Sequence, residues 1–225
     1  AEYARIKSDW LIKMPEVLNF ENSMIIGSAG YTAALCVLRI LDNIKNNKSG
    51  DILISGASGG VGSIATHLLS KLGYNVTALS GKNQDFLYDI GARNVISRNE
   101  FEILTKPLGK EKWIASIDTV GGDILSTILS ETAYNGIVAS TGLAKSFKLD
   151  TTVFPFILRN ITLAGVDCVY AALDKRINAW NFLAKNIDLE LLNKIKNVCN
   201  FSDIKELANQ IINGKVKGRT VIKII

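Results

Sequence analysis

Histidine is all but missing from this chain: His67 is the single one among 225 residues. Cysteine is scarce too, with Cys36, Cys168 and Cys199 far apart and no C-x-x-C pair. A zinc knot and His-rich metal chemistry are therefore excluded from these residues. Dispersed thiols of this kind fit a reducing compartment, the cytoplasm. Lys and Arg outnumber Asp and Glu by 26 to 21, but no basic stripe interleaved with aromatics is present. Nucleic acid is thus not an expected partner. The scattered positive charge suits an anionic small molecule, such as a 2′-phosphorylated dinucleotide or a coenzyme A ester, or is ordinary solvated lysine. Long hydrophobic runs are missing as well. The most apolar stretch, residues 24–38, holds two glycines with Ser28, Tyr31 and Thr32 and stops at Arg39. That is too short and too polar for a membrane span and predicts a buried helix, with no membrane partner. There is no initiator methionine and no signal-peptide layout, so the sequence reads as a piece of something longer. With 48% apolar residues and no low-complexity run, it can bury a sizeable core.

What the chain does have is glycine at one telling place. Ser55-Gly-Ala-Ser-Gly-Gly-Val-Gly-Ser63 follows an apolar run at 51–54 and opens an amphipathic segment at 64–72. Glycine alone is weak evidence, because tight turns use it for steric reasons. Strand, glycine turn, helix and a second strand at 76–79 together make a βαβ unit of the length that binds dinucleotides. In such a unit the backbone N–H groups at the helix N-terminus cradle a pyrophosphate.

The rest of the pattern extends this unit. Strand-like residues 3–7 and a turn at Pro15 precede a helix that begins at Asn19 or Glu21 and runs toward Ile44. Gly73 caps the 64–72 helix, a short helix at 83–90 ends at Gly91, and strands are expected at 94–97, 113–119, 136–140 and 161–169. Helices at 124–132 and 154–160 fall between them. Near-continuous apolar strands alternating with helices predict an α/β fold, a doubly wound parallel sheet covered on both faces. Gly121 and Gly142 follow strand C-termini, the edge where such sheets bind ligands. Helices at 174–185 and 202–213 and a strand at 220–225 break the alternation and are assigned to a second unit.

An NAD site carries Asp or Glu about twenty residues beyond the glycine turn, for the ribose hydroxyls. Here the second strand ends Ala78-Leu-Ser-Gly-Lys82 without a carboxylate. Ser80 can donate to a phosphate and Lys82 can supply charge, which points to NADP(H). Arg98, at the end of the third strand, stands ready on the adenosine side.

Gly56-Ala-Ser-Gly-Gly-Val-Gly-Ser63, Ser80-Gly-Lys82, Asp118-Thr-Val-Gly121, Phe156-Ile-Leu-Arg-Asn160, Gly165-Val-Asp167 and Gly218-Arg-Thr220 together resemble the medium-chain dehydrogenase/reductase superfamily. Within it they look most like the quinone-oxidoreductase-type branch that includes NADPH-dependent acrylyl-coenzyme A reductases. The resemblance implies a Rossmann-type cofactor domain at 25–168 inserted into a split, GroES-like catalytic domain. Residues 1–24 and 169–225 would be parts of that catalytic domain, most of whose N-terminal barrel is not in this sequence. Carried over by position, Ser58, Gly59, Gly60 and Val61 would hold the pyrophosphate, and Ser80, Gly81 and Lys82 the 2′-phosphate with Arg98 near the adenosine. Leu143 and Ile157 would flank the nicotinamide half, and Cys168 would also touch cofactor. The family often has arginine where Lys82 stands and serine where Cys168 stands. Lysine keeps the charge without the planar fork, and cysteine is a poorer hydrogen-bond partner.

The reaction so implied is zinc-independent hydride transfer from NADPH to an activated carbon–carbon double bond, in an enoyl thioester such as acrylyl-CoA. A quinone reductase of the same branch and a non-catalytic NADPH-binding module are the alternatives. A zinc-dependent alcohol dehydrogenase is disfavoured by the glycine-turn variant. No catalytic proton donor is identified: Tyr31 is the one candidate, and its apolar helix favours packing. His67, on the first helix away from the Ile64/Leu68 face, reads as a partly exposed structural residue. Homodimers are expected to form through the edge of the cofactor sheet, at 161–169.

Overall fold

The structure, a computed structural model, describes residues 3–45, 47–81 and 84–224. After an extended lead-in and one 3-10 turn at Ser8–Trp10, helix α1 occupies Phe20–Ile44. Residues 3–7 are not a strand, as their pattern had suggested: every one of them is exposed, and among the described residues none pairs with a neighbouring strand. The Asn19 side chain accepts from the Asn22 N–H at 2.7 Å and starts α1. The helix breaks at Gly27, whose φ of 48° and ψ of −157° lie outside the helical region.

Six parallel strands follow: β1 (Asp51–Ser55), β2 (Asn75–Ser80), β3 (Asn94–Ser97), β4 (Trp113–Asp118), β5 (Thr132–Ser140) and β6 (Thr162–Gly165). Their spatial order is β3-β2-β1-β4-β5-β6, the Rossmann-type doubly wound arrangement, with the direction of winding reversing between β1 and β4. Helices α2 (Gly60–Lys71), α3 (Gln84–Asp89), α4 (Gly122–Glu131) and α5 (Phe154–Arg159) connect them. The period-2 alternation of each strand sends side chains to two separate cores. Ile52, Ile54, Val76, Ala78, Ala115 and Ile117 join α1 and α2 on one face. Leu53, Leu79, Trp113 and Val138 meet Ile124, Ile128 and Leu129 of α4 on the other.

Helix α1 is long and apolar enough to cross a membrane by length and composition. It serves instead as the spine of the larger core: Ile25, Ile26, Ala33, Cys36, Val37 and Ile40 are fully buried against α2 and against α6 (Leu173–Asn186).

Beyond β6 come α7 (Leu189–Ile195), β7 (Lys196–Asn200), α8 (Ile204–Ile212) and β8 (Arg219–Lys223), with β7 and β8 paired in parallel as a separate two-stranded sheet. The expected helices at 174–185 and 202–213 are present as α6 and α8, and the expected final strand as β8. Helix α7 and strand β7 had no sequence signal. Seven residues are too few to show helical period, and Lys-Asn-Val-Cys-Asn is more polar than a central strand. The sixth strand is shorter than the predicted 161–169, ending at Gly165.

Candidate functional site

The loop leaving β1 turns at Gly56, and its Ala57 N–H donates to Leu79 O at 3.1 Å, binding the turn to the end of β2. Gly59 caps α2 with its own N–H already given to Gly56 O at 3.0 Å. No side chain caps this helix, and among the described residues the first-turn N–H groups of Gly60, Val61 and Gly62 have no acceptor. Gly62 is needed for closeness. A Cβ there would lie 2.4 Å from Gly56 O and 2.6 Å from Ala57 Cα, both backbone atoms that cannot swing away. Together these features make an anion cradle at the switch point of the sheet.

Ser58, on the turn, receives a 2.8 Å hydrogen bond from Ser80 Oγ at the end of β2. The pyrophosphate candidates Ser58, Gly59, Gly60 and Val61 are thereby joined to Ser80, the first of the 2′-phosphate candidates. Gly81 follows, with the Arg98 guanidinium 2.8 Å from where its Cβ would be. The Arg98 N–H donates to Ser80 O at 2.9 Å, which fixes the arginine backbone beside the same strand end. Lys82 lies outside the described residues.

Sequence reasoning gave no role to Arg219. The structure brings it from β8 across to the cradle. Its Nε donates to Ile25 O at 2.8 Å, and its guanidinium stands 2.7 Å from the Cβ that Gly27 lacks and 3.1 Å from the one Gly60 lacks. Gly27 both breaks α1 and makes room for this side chain. The adjacent Gly218 N–H donates to Ser58 O at 3.0 Å. Burial lowers the Arg219 pKa from its usual value, the sign of a desolvated cation, and its nearest described neighbours include the open end of α2. The signal was present in the Gly218-Arg-Thr220 block, but only the fold shows that a cation 194 residues from Ile25 reaches it.

Across the switch point, Asp118 at the end of β4 is fully buried. It accepts from Ser55 Oγ at 2.6 Å, Gly121 N–H at 2.9 Å and Val120 N–H at 3.3 Å. Desolvation raises its pKa, and these three hydrogen bonds oppose the rise. Thr119 completes the lock, giving its N–H to Ser55 Oγ at 3.0 Å and its hydroxyl to Ser55 O at 2.9 Å.

Further along the edge, the ends of β5 and β6 flank a cavity of about 540 Å³ lined by Leu125, Gly142, Leu143, Phe147, Leu149 and Val166, among others. Leu143 is exposed in its wall, and Cys168 sits half-buried three residues past the end of β6. Ile157, the other residue expected at the nicotinamide half, does not line this cavity. It lies on α5, exposed and two residues before Arg159. Arg159 donates to Ser130 O at 2.8 Å and Thr132 O at 3.3 Å, and to Gly109 O, all at the opposite end of β5. The block at 156–160 thus carries a structural clamp.

Tyr31 is buried as expected, and burial raises its pKa, although the charge and the hydrogen bond of nearby Arg176 oppose this. His67 stands half-buried on α2, its pKa lowered by desolvation, with Asp188 acting against that. Burial pushes the Cys36 thiol up to about 12, so it stays protonated and inert. Among the described residues no three His, Cys, Asp or Glu side chains converge as metal ligands.

Residues 60–185 match the family described as zinc-binding dehydrogenase, more than half of the chain. The chain belongs to this family. Within the medium-chain dehydrogenase/reductase superfamily it is similar along its whole length to the acrylyl-CoA reductase AcuI of Ruegeria pomeroyi, 36% identical over 227 residues. That alignment takes in 100% of this chain and 69% of the relative. The yhdH oxidoreductase from Salmonella enterica, solved in complex with NADP, superposes with a TM-score of 0.95 at 44% identity over 99% of this chain and 69% of that one. Bacillus subtilis protein yhfP, solved with NAD bound, gives a TM-score of 0.93 at 36% identity with the same coverage. The zinc-binding dehydrogenase match begins at Gly60, the first residue of α2, and ends within α6.

Proposed function

We propose that this chain is the cofactor-binding part of an NADPH-dependent, zinc-independent reductase that acts on an activated carbon–carbon double bond, with an acrylyl-CoA-like enoyl thioester as substrate. The observation that carries the reading is the uncapped N-terminus of α2, tied to Ser80 through Ser58 and faced by Arg219. A dinucleotide fits this cradle because glycine leaves the space and the backbone supplies unpaired donors. The similarity to an acrylyl-CoA reductase and to an oxidoreductase solved with NADP supports both the cofactor and the substrate class.

On this reading Gly59, Gly60, Val61 and Ser58 hold the diphosphate, and Arg219 supplies the positive charge beside it. Ser80, Gly81, Lys82 and Arg98 take the 2′-phosphate. Leu143 and Cys168 shape the nicotinamide end and keep water from the reacting face. When bound, the dinucleotide supplies a hydride, which on an enoyl thioester goes to the β-carbon while a proton from solvent reaches the α-carbon. Asp118 keeps the β4 turn fixed and takes no part in proton transfer, since all its described hydrogen bonds are to its own fold. Residues 1–24 and 169–225 belong to the split catalytic domain around the cofactor domain at 25–168. The molecule works in the cytoplasm as a homodimer joined through β6, an edge strand of the sheet, a few residues past whose end Val169 and Tyr170 are exposed. Sedimentation as a monomer at micromolar concentration would remove the dimer.

A quinone is the second reading of the acceptor, favoured by the apolar lining that Leu143, Phe147 and Leu149 give the cavity. Calorimetric titration of the protein with NADPH and NADH tests the cofactor assignment. Tighter binding of NADPH is expected; equal binding of the two overturns the 2′-phosphate site.

A further inference from the structure

A second concavity adjoins the apolar cavity and has different chemistry. It has a volume of about 570 Å³ and follows α4 from Gly122 to Ser130, between the segment 103–107 and the loop 145–152. Eight helical steps correspond to about 12 Å of groove. Ser146 and Lys148 line both spaces, so the groove continues the cavity at the ends of β5 and β6. Three lysines face it. Lys145 is neutralised by Asp123, with its Nζ 2.7 and 2.8 Å from the two carboxylate oxygens. Lys106 and Lys148 are exposed and, among the described residues, in no ion pair, while Asp150 is the one opposing carboxylate. The groove therefore keeps a net positive charge beside the hydroxyls of Thr105, Ser126 and Thr151.

We propose that this groove is the subsite for the phosphorylated nucleotide end of a coenzyme A thioester, with Lys106 and Lys148 pairing with its phosphates. The inference rests on the reading above that the substrate is an enoyl thioester reduced at the ends of β5 and β6. The geometry divides a long substrate into two parts. An apolar space lies next to Leu143 and Gly142 at the strand ends, where the short acyl group and the thioester fit. A polar channel, in which two lysines have no ion-pair partner among the described residues, runs away from it along α4. A quinone has no anionic tail and gains nothing from such a channel. The adenosine end of the dinucleotide does not compete for it, because Ser80 and Arg98, at the ends of β2 and β3, line neither the groove nor the cavity. Lys106 and Lys148 are thus specificity residues, selecting the thioester by its carrier.

The test uses the intact protein with its catalytic barrel, saturated with NADP⁺ so that the dinucleotide cradle is closed. Adenosine 3′,5′-bisphosphate is titrated calorimetrically into the wild type and into the double variant Lys106→Glu/Lys148→Glu, whose thermal melt verifies folding. Binding to the wild type that weakens at least about tenfold in the variant is expected for two charge-assisted contacts. Steady-state rates are then compared for acrylyl-CoA and for acrylyl-pantetheine, which lacks the nucleotide. The variant should raise KM about tenfold for the CoA ester only. No bisphosphate binding by the wild type, or equal binding by both proteins, overturns the subsite. A KM that rises equally for both thioesters also overturns it. If neither thioester is reduced while a quinone is, the substrate reading falls on its own, and the titration still decides the subsite.

Discussion

Two glycine turns meet at the switch point of the sheet, and their hydrogen bonds are arranged in opposite ways. After β1, the turn is left open. Gly59 caps α2 without a side chain, and among the described residues the donors of Gly60, Val61 and Gly62 have no acceptor. After β4, the turn is closed by its own chain: Asp118 accepts from Val120, Gly121 and Ser55, and Thr119 ties back to Ser55. Both read as strand, glycine turn and helix in sequence. The difference is one buried carboxylate. A turn with its own acceptor has no use for an anion, whereas a turn without one presents unsatisfied donors that an anionic ligand satisfies. The closed turn holds the open one in place through Ser55, which belongs to β1 and bonds to both Asp118 and Thr119.

The largest effect is expected from Gly62→Ala. The new Cβ meets immovable backbone at 2.4 and 2.6 Å, so NADPH binding measured by calorimetry should be lost together with about 1–3 kcal/mol of stability. Asp118→Asn comes next. It puts an NH2 donor where a carboxylate oxygen accepted, facing the Ser55, Val120 and Gly121 donors, and urea denaturation should show a loss of about 1–3 kcal/mol with a smaller effect on NADPH affinity than Gly62→Ala. If Asp118→Asn abolished NADPH binding in a protein that remained folded, the division of labour between the two turns would be wrong. Arg98→Ala should lower affinity for NADPH by about tenfold and leave NADH unchanged, since only the phosphorylated ribose engages it.

The smallest effect concerns His67, remote from both turns. Its folded pKa lies below the ordinary 6.5, so the folded state binds a proton less readily than the unfolded one. Its contribution to stability is full above the unfolded value and is lost as pH falls through the folded one. Thermal melts from pH 7 to 5 should therefore decline less steeply for His67→Gln than for the wild type.

Much of this was legible in the sequence because it depends on local pattern. Ser55 to Ser63 announced a strand, a turn and a helix start, and the alternation of Ile52, Leu53 and Ile54 marked a strand buried on both faces. The absence of a carboxylate after β2 directed attention to Ser80, which the structure joins to Ser58. What sequence could not show depends on contacts between distant segments. Arg219 looked like part of a terminal signature until its guanidinium was found between Gly27 and Gly60. Ile157 and Arg159 were read as one block, yet the arginine grips carbonyls at the far end of β5. The strand β7 was hidden because its pairing partner, β8, supplies the order that its own polar residues do not.

The position of Arg219 also sets a timetable. The ribosome makes Ile25 and then 194 further residues before the side chain that bonds to it exists. At ordinary synthesis rates that delay is about 10–40 s. Throughout it the sheet can assemble, but the charged partner of the open turn is missing until Arg219 is made.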